Sequence, residues 1–118
     1  MGTRMLSAAE SPVHDRYKQL VVDSTESDTV LLNRFAQPAF RVLSTPRSRV
    51  LERQEAVSLG ELGGVLDLYF NGNLDAAFAF GGQVAGRIDS VRPVAEIIDE
   101  TISDLHETLT AIGKAYPA

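Results

Sequence analysis

The 118-residue sequence contains no cysteine, which excludes disulfides, thiolate metal sites and cysteine nucleophiles. It also lacks a run of about 18 apolar residues, as well as the apolar N-terminal segment of a signal peptide. We therefore expect a cytoplasmic protein that has no membrane partner. Positive charge is scarce: the sequence has 11 Lys and Arg and 16 Asp and Glu, which gives a net charge of −5. Since no basic stripe is present, a nucleic-acid partner is not expected.

Groups that could perform catalysis or bind metals are also few. The two histidines, His14 and His106, lie far apart in the sequence, and neither HExxH nor GxSxG occurs. Three acidic residues at positions 23–28 suggest a calcium loop, but the glycine and the terminal glutamate of such a loop are absent. We interpret this stretch as a solvated turn, His14 as a structural residue, and His106 as a structural or exposed one. The sequence predicts no metal site.

With 44% apolar and 23% charged residues, the composition is typical of one folded domain. The first half of the chain alternates helix and strand signals. A helix is predicted from Ser11-Pro12 to about Val22, because serine can cap the helix and proline suits its first turn. Residues 29–35 and 39–43 are predicted strands. Thr45-Pro46 repeats the cap signal and predicts a surface helix over residues 47–57.

The second half begins with residues 58–89, which hold seven of the nine glycines. Each glycine inside a helix costs about 1 kcal/mol, so these glycines indicate turns or close backbone contacts. We predict a turn at 71–73, an apolar helical or irregular stretch over 74–80, and a loop over 81–88. From Pro93 to Gly113, apolar residues recur at helical spacing and predict an amphipathic helix whose apolar stripe must dock on a partner surface.

Two glycine turns have chemistry that suits an anion. A glycine followed by threonine, as at Gly2-Thr3, can offer backbone amides and a hydroxyl to a phosphate. The loop Gly81-Gly82-Gln83 is the second such turn. Alone, this pattern is a weak signal.

Five motifs in order give a more specific signal: GTR at 2–4, ESPVHDRYK at 10–18, DTV at 28–30, GQVAGRI at 82–88 and RPVAEI at 92–97. In this order, over nearly the whole chain, they resemble the C-terminal third of the nitronate monooxygenase family, also called 2-nitropropane dioxygenases. Flavin-containing enoyl-ACP reductases have similar signatures.

This resemblance implies an α/β fold: the C-terminal fragment of an FMN-binding (β/α)8 barrel plus part of a small α/β second domain, with the fragment itself mainly helical. Residues 1–23 would end the last barrel strand, at Met1–Thr3, and form the helix after it. Residues 24–57 would belong to the small domain. Residues 58–118 would return to the barrel with the glycine-rich loop and a final helix packed on it.

The resemblance also implies a cofactor site and an activity. Gly2 and Thr3 would bind the phosphate of FMN, and Gly81, Gly82 and Gln83 would lie near the flavin ring or the substrate entrance. The family reaction converts an alkyl nitronate and dioxygen to a carbonyl compound and nitrite. The family's catalytic histidine stretch has no match here, so we predict no catalytic residue and an inactive isolated chain.

Three alternatives remain open at this point. The chain could be a fragment of a flavin-dependent enzyme that resembles the enoyl-ACP reductases instead. The chain could pair in trans with a separate barrel portion, as one part of a split enzyme. It could also be a small helical binding or assembly module that uses its apolar stripes to dock a partner.

Overall fold

A computed structural model describes residues 1–117, apart from the side chains of residues 59 and 62. The described chain is mainly helical and contains one small sheet. Its elements, in chain order, are α1 Gly2–Leu6, α2 Asp15–Asp23, β1 Thr29–Leu32, β2 Phe40–Leu43, α3 Pro46–Leu51, a 3-10 turn Leu59–Leu62, α4 Val65–Asn71, a second 3-10 turn Gln83–Arg87 and α5 Val94–Ala115.

The N-terminal residues are helical. The strand end predicted at Met1–Thr3 is wrong for Gly2 and Thr3, which begin α1 with Met1 as its N-cap. A strand needs a neighbouring strand to pair its amides and carbonyls, whereas β1 and β2 pair with each other. In α1 the backbone pairs locally instead, and the Met5 amide donates to the Met1 carbonyl at 3.0 Å.

Helix α2 begins later than Ser11-Pro12 predicts. Its N-cap is His14, whose Nδ1 accepts a hydrogen bond from the Arg16 amide at 3.1 Å. His14 also packs against Gly72, where an added Cβ would lie 2.4 Å from Nδ1. Gly72 ends α4 with φ of 71°, a conformation that favours glycine. The structural role of His14 and the turn at 71–73 are therefore confirmed.

The two predicted strands form an antiparallel hairpin with shorter bounds than expected. The register pairs Thr29 with Leu43 and Leu32 with Phe40. An isolated bridge joins Val42 to Phe80, so the apolar stretch over 74–80 is irregular and lies along the hairpin. This bridge brings the glycine-rich loop that follows Phe80 close to β2.

The acidic stretch before the hairpin forms the predicted turn. The Thr25 amide and hydroxyl both donate to Asp28 Oδ2, at 2.9 and 2.8 Å. These hydrogen bonds, led by the one from the Thr25 amide, lower the pKa of Asp28 below its usual value.

Helix α3 is shorter than predicted. Thr45 and Ser48 form a complete capping box at its start, as the cap-plus-proline signal indicates. The helix ends at Leu51 rather than at residue 57, because the following chain turns to bury Val57 and to pair its amide with Asn33 Oδ1 at 2.5 Å.

The core consists of two apolar clusters on either side of the hairpin and residues 77–80. Successive residues of an extended segment point to opposite sides, so Leu43, Ala77 and Ala79 enter the first cluster, while Val42 and Phe78 enter the second. The first cluster also includes Val13, Tyr17, Val21, Leu68, Ala85 and Ile88; the second includes Val30, Leu32, Leu51 and Val57.

The predicted final helix is confirmed as α5, but its stripe is largely exposed. Ile97 is 2% exposed. The rest of the stripe is about half exposed: Ile98 47%, Ile102 48%, Leu105 50%, Leu109 56% and Ile112 52%. The described part of the chain does not supply the surface on which this stripe is predicted to dock. Within residues 1–117, no helix combines the length and the apolar character that crossing a bilayer requires.

Candidate cofactor site

The site is built where the N-terminus meets the glycine-rich loop. The Gly82 amide donates a hydrogen bond to Thr3 Oγ1 at 3.1 Å, joining residues 79 positions apart. A second hydrogen bond joins α1 to the chain after the second 3-10 turn: Arg4 Nη1 donates to the Ser90 carbonyl at 2.7 Å. The fold therefore brings together the two glycine-containing segments that the sequence predicts to bind a phosphate, although Gly2 and Thr3 form the start of α1 and not a turn.

A cavity of about 410 Å³ opens at this junction. Its lining consists of Gly2, Thr3, Leu6, Arg41, Phe80, Gly81 and Gly82. Among the residues predicted to bind the cofactor, Gln83 alone is not in this lining; it borders a separate depression with Glu26, Val84 and Arg87. A larger depression of about 510 Å³, beside α2 and residues 72–75, contains none of the predicted residues.

The two loop glycines differ in whether packing requires a glycine at their position. A Cβ added at Gly81 would lie 2.6 Å from Cγ and Cδ2 of Leu43, which is fully buried, so packing requires glycine there. A Cβ added at Gly82 would lie 3.7 Å from Thr3 Oγ1, an ordinary contact distance. Packing therefore leaves room for a side chain at Gly82, and its absence keeps the cavity open beside the Thr3 hydroxyl.

Arg41 adds positive charge to the cavity and was missed by sequence reasoning. It is the exposed residue of β2, and its Nη1 donates to Thr29 Oγ1 at 2.9 Å on the paired strand. The guanidinium has further N–H groups that can pair with a phosphate. The sequence around Arg41 does not show that its side chain lies beside Thr3, because Leu43 on the same face of β2 is fully buried.

Tyr17 holds the backbone of Phe80, which forms one wall of the cavity. The Tyr17 hydroxyl donates to the Phe80 carbonyl at 2.7 Å. Burial raises the pKa of Tyr17 far above its usual value, with a smaller contribution from Tyr69. Tyr17 thus stays protonated as a donor and fixes the backbone just before Gly81.

The residues present fit a phosphate joined to a partly apolar molecule such as FMN. Thr3 Oγ1 accepts from Gly82, so its own hydrogen is available to donate, and Arg41 supplies a cation. Leu6 and Phe80 supply apolar surface. Across residues 1–117, no three histidine or acidic side chains are grouped to hold a metal ion. Neither His14 nor His106 lines the cavity.

Comparisons with known proteins show which family and which solved structures the chain resembles. The family model described as nitronate monooxygenase matches residues 1–104. FabK from Thermotoga maritima is 30% identical, with a TM-score of 0.88 over 98% of this chain and 39% of its own. Its M276A mutant is 31% identical, with a TM-score of 0.84 over 98% of this chain and 36% of its own. No curated protein is a significant match.

The chain thus spans less than two-fifths of the FabK structures that it matches. Its family match, in contrast, covers most of its own length. Together with the similarity to FabK, that match shows that the chain belongs to the nitronate monooxygenase family of oxidoreductases.

Proposed function

We propose that the chain is the C-terminal part of an FMN-dependent oxidoreductase, a fragment of a (β/α)8 barrel with part of a small α/β domain. The observation that carries this proposal is the hydrogen bond between Thr3 Oγ1 and the Gly82 amide, at 3.1 Å. It joins both predicted cofactor turns at one cavity, which also receives Arg41.

In this proposal the phosphate of FMN lies between α1 and the loop at 81–82. Thr3 donates its hydroxyl hydrogen to a phosphate oxygen, and Arg41 pairs with the phosphate charge through its free N–H groups. Gly2 and Gly82 leave room for the group, and Gly81 and Gln83 lie toward the flavin ring or the substrate. The bound flavin would supply the redox chemistry, while these residues bind and orient it.

For the reaction, we propose oxidation of an alkyl nitronate by dioxygen to a carbonyl compound and nitrite. The family match supports this choice. Because neither histidine lines the cavity, we propose that the catalytic base belongs to a barrel portion outside these 118 residues, in the same polypeptide or supplied in trans. The isolated chain would then be inactive.

A second candidate is a flavin-dependent enoyl-ACP reductase. The observation that favours it is the similarity to FabK, with a TM-score of 0.88 over 98% of this chain. Both candidates share the flavin and differ in the substrate, so the phosphate-binding residues alone do not separate them.

A pair of chimeras tests both candidates. This chain would replace the matching segment of Thermotoga maritima FabK and, separately, that of a nitronate monooxygenase, so that each host supplies its own catalytic groups. We expect both purified chimeras to contain FMN in a 1:1 ratio, and the nitronate monooxygenase chimera to release nitrite from an alkyl nitronate. Enoyl-thioester reduction by the FabK chimera without nitrite release by the other would favour the second candidate. Folded chimeras that bind no flavin would contradict the proposal.

A further inference from the structure

A second cavity adjoins the first across Phe80. It has a volume of about 350 Å³, within the range of small-molecule sites. Its walls include Asn33, Gln37, Phe40, Val57, Phe78 and Phe80, and no charged residue lines it. Since Phe80 borders both cavities, a molecule in the second cavity lies one side chain away from the proposed phosphate site.

Three aromatic rings make one wall of this second cavity rigid. The Phe40 and Phe78 rings stack with centroids 5.1 Å apart, and Phe80 lies 5.8 Å from Phe40 and 5.5 Å from Phe78. Phe78 is fully buried, and the Phe80 backbone is held by Tyr17 and by the bridge to Val42. The wall is therefore fixed before any ligand arrives.

Asn33 joins the two chain segments that form the other side of this second cavity, opposite the aromatic wall. It is a non-glycine residue with positive φ, 54°, a conformation that persists only where surrounding contacts enforce it. Its Oδ1 accepts from the Val57 amide at 2.5 Å, and its Nδ2 donates to the Pro38 carbonyl at 3.4 Å. One side chain thus holds the β1–β2 connection against the segment after α3, and the cavity lies between them.

We infer that this cavity binds the uncharged alkyl or aryl portion of the substrate. The inference deepens the proposed function and rests on it: the proposed flavin site lies on one side of Phe80 and an apolar tail site on the other. Aromatic walls without a charged group favour a hydrocarbon, because a charged group entering them would lose its hydration without gaining a partner. A polar reacting group would remain outside, beyond Phe80 and toward Gly81, where the flavin ring is proposed to lie.

Neutral alcohols of increasing length test this inference on the full 118-residue chain. We would titrate 1-butanol, 1-hexanol and 1-octanol and follow backbone amide shifts by ¹H–¹⁵N NMR. The shifts should concentrate at Asn33, Val57 and Phe78, and Kd should fall about three- to fourfold per added methylene. Shifts concentrated on the apolar stripe of α5, or a Kd that does not change with length, would overturn the inference.

A matched pair of variants separates the cavity from general apolar adhesion. Gln37 lines the cavity and is exposed, whereas Gln54 is exposed and lies outside the lining. Gln37→Trp should block the entrance and weaken hexanol binding at least tenfold, and Gln54→Trp should leave it unchanged. Equal effects of the two substitutions would overturn the inference.

The outcomes also distinguish this inference from the proposed function. Alcohol binding requires no flavin. Failure of the alcohols to bind, with FMN still bound by the chimera, would remove only the tail site. Alcohol binding with no flavin in a folded chimera would remove the proposed function and leave an apolar site of another purpose.

Discussion

At the scale of single residues, the neighbouring glycines at 81 and 82 have opposite requirements. Gly81→Ala places a methyl group against buried Leu43, and such overpacking costs about 1–3 kcal/mol. Gly82→Ala has room and should change the free energy of unfolding by less than about 0.5 kcal/mol. Urea unfolding of both variants checks this difference. Equal losses of stability would contradict the packing described for the loop.

The hydroxyl of Thr3 makes a second residue-scale prediction. In the FabK chimera, Thr3→Ala should weaken FMN binding by about 1 kcal/mol, roughly fivefold, since one hydrogen bond is lost. Thr3→Ser keeps the hydroxyl and serves as the control. Flavin fluorescence titration gives both affinities. Unchanged FMN affinity in Thr3→Ala would show that Thr3 does not contact the phosphate.

Tyr17 gives a prediction with a defined pH dependence. Tyr17→Phe removes the donor to the Phe80 carbonyl and should lower the free energy of unfolding by about 1–2 kcal/mol at pH 7. Burial raises the pKa of Tyr17 in the folded state, so its contribution is complete below the unfolded pKa near 10. Above pH 10 the unfolded phenol ionises while the folded one does not.

The free energy of unfolding of the wild type should therefore fall relative to that of Tyr17→Phe by about 1 kcal/mol between pH 10 and 11. The slope should approach about 1.4 kcal/mol per pH unit at higher pH, until the folded phenol also ionises. Urea unfolding at pH 7, 10 and 11 measures this difference. A difference between the two proteins that does not change over this pH range would contradict the assignment of Tyr17 as a buried donor.

At the scale of elements, two adjacent isoleucines of α5 differ in burial. Ile97 is 2% exposed and Ile98 is 47% exposed. Ile97→Ala should cost about 2–4 kcal/mol of stability, whereas Ile98→Ala should cost less than about 1 kcal/mol. Chemical unfolding of the two variants measures this contrast. Similar losses would mean that Ile98 is also covered.

The remaining stripe of α5 bears on the proposed barrel partner. Changing both Ile98 and Leu105, which is 50% exposed, to Asp should leave the isolated chain soluble and equally helical by circular dichroism. If the stripe docks on the barrel portion, the same double variant in the chimera should lose stability, since two charges would face apolar surface. Equal stability of the variant and unmodified chimeras would exclude this docking.

The sequence predicts some elements correctly and misplaces the ends of others. Local signals suffice for the hairpin, the turn at 71–73 and α5, because alternation, glycine and helical periodicity determine them. Tertiary contacts decide the rest. The His14 amide donates to the Tyr69 carbonyl at 2.7 Å and helps delay the start of α2, and Asn33 binds Val57 beyond the early end of α3.

At the scale of the whole molecule, the sequence identified the family and the two glycine turns, and the fold places both turns at one cavity. It could not identify Arg41, because an arginine on a strand indicates a solvent-facing side without showing what lies opposite. The apolar cavity behind Phe80 is equally hidden, since Asn33, Val57 and Phe78 come from separate segments. Only their packing creates it.

The central claim is that this cavity binds the phosphate of FMN, and the most direct test compares FMN with riboflavin, which lacks the phosphate. In the FabK chimera, Arg41→Gln should weaken FMN binding about 10- to 100-fold, as expected for a hydrogen-bonded charge pair. Riboflavin binding should not change. Arg53→Gln, at an exposed arginine outside the cavity, should affect neither ligand. Equal weakening of FMN and riboflavin by Arg41→Gln, or no weakening of either, would contradict the claim.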